Sequence, residues 1–258
     1  MQSLKIAIIQ SDIVANNKEQ NYINFSKKIK QVIGNVDLII LPEMFNTGFI
    51  MDLNISASSQ DDVLAWMYQQ IEGTNTAIVG SAAIFSADNM VANRLLFVTG
   101  DKNVYVYDKS HLFRHAGEHK KYSQGHERKI IEYKGFKFLL SVCFDLRFPV
   151  FNCNNNDYDI LINVASWPSS RREHWMALLK ARAIENQVYV LACNRVGQDS
   201  NLLDYSGDSC VIDFNGDVIH HNNNDETILI SILDKELQLE HRKRFNFLES
   251  QDSFTLKM

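Results

Sequence analysis

Residues Phe138–Pro149 read FLLSVCFDLRFP. An apolar run ends at Cys143, and a charged turn, Asp145-Leu146-Arg147, follows at once. Such a run bounded by a turn predicts a buried strand, so Cys143 stands where a strand leaves its sheet. Backbone N–H groups are free at such a place and can point at an oxyanion. A thiolate held there could attack a carbonyl. Cysteine in an apolar run is more often a small buried hydrophobe, and the stretch by itself favours that second reading.

Working outward, Ile130–Tyr133 and Phe136–Val142 predict a hairpin around Lys134-Gly135. Further apolar runs at Leu4–Ile9, Asp37–Leu41, Thr76–Phe85, Val91–Thr99, Val104–Tyr107, Ile160–Val164, Val188–Ala192 and Thr227–Leu233 predict strands. Helical spacing covers Asn16–Ile33, where Tyr22, Phe25, Ile29, Val32 and Ile33 share a face before Gly34, and also Asp61–Ile71 and Arg171–Asn186. Asn215-Gly216, between Val211-Ile212 and Val218-Ile219, predicts a hairpin with a type I′ turn. Consecutive strands break a strict βαβ alternation, so the sheets should be mixed. About a dozen strands and four main helices suit an α/β fold of two sheets packed face to face with helices outside. No composition shift marks a linker, so one domain is expected over residues 1–258. Its charged tail, 234–258, carries scattered apolar residues and is expected to pack on the domain or on a partner subunit.

The 258 residues are 45% hydrophobic and carry a formal charge of −5. That composition affords a substantial core and gives no support to a nucleic-acid or membrane-surface partner. The first twelve residues, MQSLKIAIIQSD, hold an apolar run too short for a signal segment and read as a strand. Four cysteines, Cys143, Cys153, Cys193 and Cys210, show no CxxC spacing, which suits a reduced, cytoplasmic compartment.

Three polar residues stand at strand ends: Glu43, Lys109 and Cys143. Open α/β sheets keep their chemistry at such ends. A nearby cation lowers a thiol pKa, and lysine can also hold a tetrahedral oxyanion. A glutamate can take the thiol proton and later activate water. Each signal is weak alone; together they propose nucleophile, cation and base.

The same three positions carry a resemblance. LPEMFNTGF around Glu43, YDKSHLF around Lys109 and SVCFDLRFP around Cys143 occur in the order of the nitrilase, or carbon–nitrogen hydrolase, superfamily. GEHKKYSQG around Glu118, NVASWP, and HWMALLKARAIENQVYVLACNRVG extend the resemblance from Lys5 to about Ser231. It implies a four-layer α-β-β-α sandwich and a Glu–Lys–Cys hydrolase with Glu43 as general base, Lys109 as oxyanion partner and Cys143 as nucleophile. It further implies that Glu118 positions substrate and lysine, that the Phe144 N–H completes the oxyanion hole, that no metal or organic cofactor is needed, and that the chain forms a homodimer.

Among branches, CFDLRFP, NVASWP and the RREHW helix start look most like the bacterial ω-amidases, which act on 2-oxoglutaramate or 2-oxosuccinamate; N-carbamoyl amino acid hydrolysis, nitrile hydrolysis or another carbon–nitrogen hydrolase activity of the same fold is the alternative within the family. An α-keto carboxylate calls for a cation, and arginine binds carboxylate bidentately. Arg171 and Arg172 are the candidates, although adjacent charges at a helix start also suit a solvated edge; Arg147 reads as structural. Trp167 suits a pocket wall or core, and His115 and His174 suit a substrate contact or a structural role. Rival readings are a metal site on His111, His115 and His119, which a helix would align, a Cys–His hydrolase, for which the local signatures around Cys143 are missing, and a binding protein on a borrowed fold.

Overall fold

Leu38, Ile39 and Ile40 are completely buried, because the strand they form is covered on both faces, and this holds for most strands of the protein. A computed structural model describes residues 2–86 and 90–256. In chain order the first half runs β1 (Ser3–Gln10), α1 (Lys18–Ile29), β2 (Leu38–Ile40), α2 (Leu53–Ser56), α3 (Gln60–Ile71), β3 (Ala77–Phe85), β4 (Val91–Val98), β5 (Val104–Asp108) and β6 (Tyr122–Ser123). The second runs β7 (Ile130–Tyr133), β8 (Phe136–Val142), α4 (Pro149–Asn152), β9 (Ile160–Ala165), α5 (Arg172–Asn186), β10 (Tyr189–Asn194), β11 (Val196–Gln198), β12 (Asp204–Ile212) and β13 (Val218–Asn223). The chain then continues into β14 (Thr227–Asp234) and α6 (Lys235–Arg244).

One sheet has the order β14-β1-β2-β3-β4-β5, with β6 beside β4; the other has β11-β12-β10-β9-β8-β7, with β13 beside β12. Each is mixed: β1, β2 and β3 run parallel, as do β8, β9 and β10, while the flanking pairs are antiparallel. Side-chain alternation sorts the residues into layers. Leu4, Ile6, Ile8, Leu38 and Ile40 meet Phe138, Leu140, Ile162 and Leu191 between the sheets. Ala7, Ile9, Ile39 and Leu41 point the other way, onto Phe25 of α1 and Val63 and Met67 of α3. Leu139, Leu161 and Val190 likewise meet Trp175, Leu179 and Ala183 of α5. The result is the α-β-β-α sandwich.

Two details depart from the sequence reading, and the tail adds an element to it. The first helix ends at Ile29 and Val32 and Ile33 follow in turns, still reaching the helical layer. The Asn215-Gly216 turn is not type I′. Gly216 N donates to Asp213 O at 3.0 Å and Asp213 N to Asp217 O at 2.9 Å, which makes a three-residue loop with only Gly216 (φ +87°) left-handed. Phe214 accounts for the difference, because its ring is drawn onto Tyr189, 5.2 Å between centroids. The charged tail forms α6, capped by Asp234 on Leu237 N. Gln238 Nε2 donates to Asp159 O and Gln187 O, and Arg242 donates to Asp159 Oδ1 and Tyr158 O, so the helix lies on its own chain.

Candidate active site

The carboxyl ends of parallel strands β2, β8 and β9 open on the same side of the sandwich as the end of β5. Glu43 follows β2 by three residues and is buried. Its Oε1 accepts from Asn93 Nδ2 at 2.7 Å and from Lys109 Nζ at 3.0 Å; its Oε2 accepts from the backbone N–H of Ser166, just past β9, at 2.7 Å. A buried carboxylate needs such donors to remain in place.

Lys109 follows β5 directly and is equally buried. Its ammonium also donates to Glu118 Oε1 and Oε2, both at 3.1 Å, and lies over the Phe49 ring. Burial, the largest influence, pulls the lysine pKa down, but the charges of Glu118 and Glu43 together outweigh it and hold the ammonium well above its usual value. Glu118 also receives the Phe113 N–H. Burial is again the largest influence on Glu118 and pushes its carboxyl up, against the pull of Lys109.

Cys143 opens a 3-10 turn, Cys143–Arg147, straight after β8. Its φ of +46° lies in the left-handed region, a costly conformation for a residue with a Cβ. Asp145 locks the turn: its Oδ2 accepts from Val142 N at 2.9 Å. Cys143 is half-buried and lines a cavity of about 490 Å³ together with Glu43 and Lys109, its sulfur 4.0 Å from Ser166 O. Burial and then the Glu43 charge push the thiol well above its ordinary range, and Lys109 offsets this in part. That direction favours the protonated sulfur, and a carboxylate such as Glu43 shares the cavity with it. Phe144 also lines the cavity, and its backbone N–H has no hydrogen-bond partner among the described residues, as expected for the first turn of a helix.

The cavity has a cationic wall. Arg147 lies over the Trp167 ring at 4.7 Å and Arg171 over the Phe113 ring at 5.3 Å. All four residues line the cavity, and neither arginine has a carboxylate partner among the described residues. Burial and then the nearby Arg171 charge lower the Arg147 pKa. Trp167 is both wall and core, touching the α5 layer while its Nε1 donates to Arg171 O at 2.8 Å.

Arg172 departs from the sequence reading. It is turned away from the cavity, its Nε and Nη2 bound to Asp208 at 2.8 and 2.9 Å, because helix periodicity sends adjacent residues in different directions. His115 does not line the cavity either; its ring sits beside Phe113. His174 meets Arg147 Nη2 at 3.2 Å. The three histidines of the metal reading do not share a helix: two short 3-10 turns are broken at Gly117, φ +78°, and His111 instead stacks on Phe148. Among the described residues no group of three or more His, Cys, Asp or Glu is arranged to hold a metal ion.

The family model for carbon-nitrogen hydrolases matches residues 5–241. The chain belongs to this family. Omega-amidase YafV of Escherichia coli K12 is 43% identical over 260 residues, covering 99% of this chain and all of that one. The 2-oxoglutaramate amidase of Bacillus subtilis is 28% identical, with 92% and 93% covered. Among solved structures, XC1258 of Xanthomonas campestris, a CN-hydrolase superfamily protein with an arsenic adduct in its active site, superposes with a TM-score of 0.96 at 38% identity over 99% of this chain and 100% of that one. Saccharomyces cerevisiae Nit3 shares the fold, with a TM-score of 0.86 at 22% identity over 94% of each chain.

This carbon–nitrogen hydrolase carries site residues that the sequence reading passed over. Asn93 is a buried polar residue inside an apolar strand, and that contrast alone was a signal. Arg147, read from the sequence as structural, instead lines the cavity. The Ser166 N–H, a backbone group, left no trace in residue type.

Proposed function

We propose that the enzyme is an ω-amidase, cleaving the side-chain amide of small α-keto acid amides such as 2-oxoglutaramate and 2-oxosuccinamate to the dicarboxylate and ammonia. The observation that carries the reading is one cavity shared by Glu43, Lys109 and Cys143 with Arg147 and Arg171 on its wall, neither in a salt bridge among the described residues. The first three suit amide hydrolysis, and the arginines suit a carboxylate on the same molecule. The named activities of the Escherichia coli and Bacillus subtilis relatives support the same substrate class.

In this mechanism Glu43 takes the Cys143 thiol proton as the sulfur attacks the amide carbon. The resulting oxyanion is held by the Lys109 ammonium and the Phe144 N–H. The carbonyl re-forms, the C–N bond breaks, and the Glu43 proton goes to the departing nitrogen, which leaves as ammonia. A thioester to Cys143 remains. Glu43 then deprotonates a water that attacks the thioester; the sulfur leaves and regains a proton, and the product is a carboxylate. Glu118 keeps Lys109 in place through both steps.

The reading includes a cytoplasmic homodimer. The four free cysteines suit a reduced compartment, and among the described residues no helix is long and apolar enough to cross a membrane. Light scattering on the purified chain tests the dimer, and a monomer at micromolar concentration would remove it.

Ammonia release should be screened across 2-oxoglutaramate, 2-oxosuccinamate, glutamine, asparagine, simple nitriles and N-carbamoyl amino acids. The keto acid amides should be turned over fastest, and Cys143→Ala should abolish turnover without unfolding the chain. Inert keto acid amides beside an active carbamoyl compound would overturn the substrate; ammonia release by Cys143→Ala would overturn the nucleophile.

A further inference from the structure

We propose that Asn93 is a positioning residue that selects which oxygen of Glu43 carries the proton. The inference rests on Glu43 being the general base. A carboxylate oxygen has two lone pairs. On Glu43, Oε1 is filled by Asn93 Nδ2 at 2.7 Å and Lys109 Nζ at 3.0 Å, whereas Oε2 accepts only the Ser166 N–H at 2.7 Å among the described residues. The open lone pair is therefore on Oε2. Ser166 neighbours both groups, its N–H on Oε2 and its carbonyl 4.0 Å from Cys143 Sγ.

Asn93 is built for this task. It is completely buried in β4. Its orientation is set by charge, since the reversed amide would press an oxygen against a carboxylate at 2.7 Å. Its Oδ1 has no partner among the described residues, so the contact with Glu43 is the side chain's anchor. Its backbone carbonyl accepts the Lys109 N–H at 3.0 Å, which fixes the lysine from the same residue. Next to it Arg94 grips Asp108 with Nε and Nη2 at 2.7 and 2.8 Å, locking the β4–β5 register.

The chemistry gives a reason for a neutral donor here. When Lys109 turns its charge toward a developing oxyanion, Oε1 needs a second donor to stay where it is. Another cation would add a full opposite charge beside the carboxylate and oppose its protonation. An amide orients the group with less bias. Glu43 is otherwise faced by Lys109 and, beyond it, Glu118 on the β5 side, by Ser166 after β9, and by Cys143 after β8.

The test needs no knowledge of the substrate. Iodoacetamide alkylation of Cys143, read by mass spectrometry between pH 6 and pH 9, reports removal of the thiol proton. Wild type, Glu43→Gln, Asn93→Ala and Asn93→Asp are compared after each is shown to melt cooperatively. Asn93→Ala should slow alkylation at neutral pH by roughly ten- to a hundredfold. Asn93→Asp should be slower still at high pH, where the second carboxylate pushes Oε1 out of its place and its charge disfavours the thiolate. As pH falls it should gain on Asn93→Ala, because a protonated Asp can donate to Oε1 as asparagine does. An Asn93→Asp to Asn93→Ala ratio that does not change with pH, or alkylation of Asn93→Ala within twofold of wild type, overturns the proposal. Should Asn93→Ala fail to fold, the pH response of Asn93→Asp relative to wild type decides. Wild-type alkylation in Glu43→Gln would instead remove the base assignment on which the proposal stands.

Discussion

The Tyr107 hydroxyl donates to Asp145 Oδ2 at 2.7 Å. One residue lies two positions before Lys109 and the other two after Cys143, so this bond joins the loop of the cation to the turn of the thiol across the interface of the two sheets. Asp145 also accepts from Val142 N and His111 N, each at 2.9 Å. Asp145→Ala would leave those buried donors and the Tyr107 hydroxyl unpaired, at about 1–3 kcal/mol for each group left unsatisfied. The expected loss, after relaxation and water entry, is about 3–5 kcal/mol, read as a lower urea midpoint. A midpoint equal to wild type would show that the sheets do not depend on this carboxylate.

Arg147 and Arg171 provide the test of substrate orientation. Replacing either by alanine should raise the KM for 2-oxoglutaramate about tenfold to a hundredfold, the equivalent of about 1.5–3 kcal/mol for a charged hydrogen bond, with kcat changed only a few-fold. An amide without a carboxylate should be handled equally by both variants and wild type. Equal KM increases for charged and uncharged amides would mean that the arginines only shape the wall through Trp167 and Phe113.

The strand ends were readable because each apolar run stops abruptly. Pro42 and Glu43 close one, Asp108 and Lys109 another, Cys143 and Asp145 a third, and burial on both faces makes such runs nearly continuous. What could not be read was direction. Arg171 and Arg172 are neighbours of the same type, yet one stacks on Phe113 and the other is taken by Asp208, more than thirty positions away in sequence. A residue such as Asn93 is informative only once its partner is known. The Asn215-Gly216 turn shows the same limit, because the competing pull on Phe214 comes from Tyr189 in another strand.

That turn can be tested directly. Gly216 has φ +87°, and a Cβ placed there would sit 2.5 Å from Ile184 Cγ1 of α5. Gly34 has a similar φ of +78° and open space around it. Gly34→Ala should therefore cost only the backbone strain, about 1–3 kcal/mol, and Gly216→Ala should cost more. Adding Ile184→Ala to Gly216→Ala should recover the excess. If the two glycine variants melt alike, the hairpin is free to move off α5.

The buried thiols predict how stability responds to alkali. Cys193 Sγ donates to Ile9 O at 3.5 Å and Ile40 O at 3.6 Å, and burial pushes its thiol well above the ordinary value. Burial acts in the same direction on Cys210. In the unfolded chain both ionise near the usual thiol value of roughly 8.5. Below that pH both states hold the proton and the full contribution is present. Above it the unfolded state releases protons that the folded state keeps, so stability falls as pH rises, and the fall continues until the folded thiols themselves ionise. Each thiol adds up to about 1.4 kcal/mol per pH unit to the slope. Cys193→Ala should start from a lower stability, because it opens a small cavity between the sheets, yet lose less on going from pH 8 to pH 10. Urea unfolding at the two pH values measures both effects. Parallel losses in variant and wild type would mean that Cys193 ionises as readily in the fold as outside it.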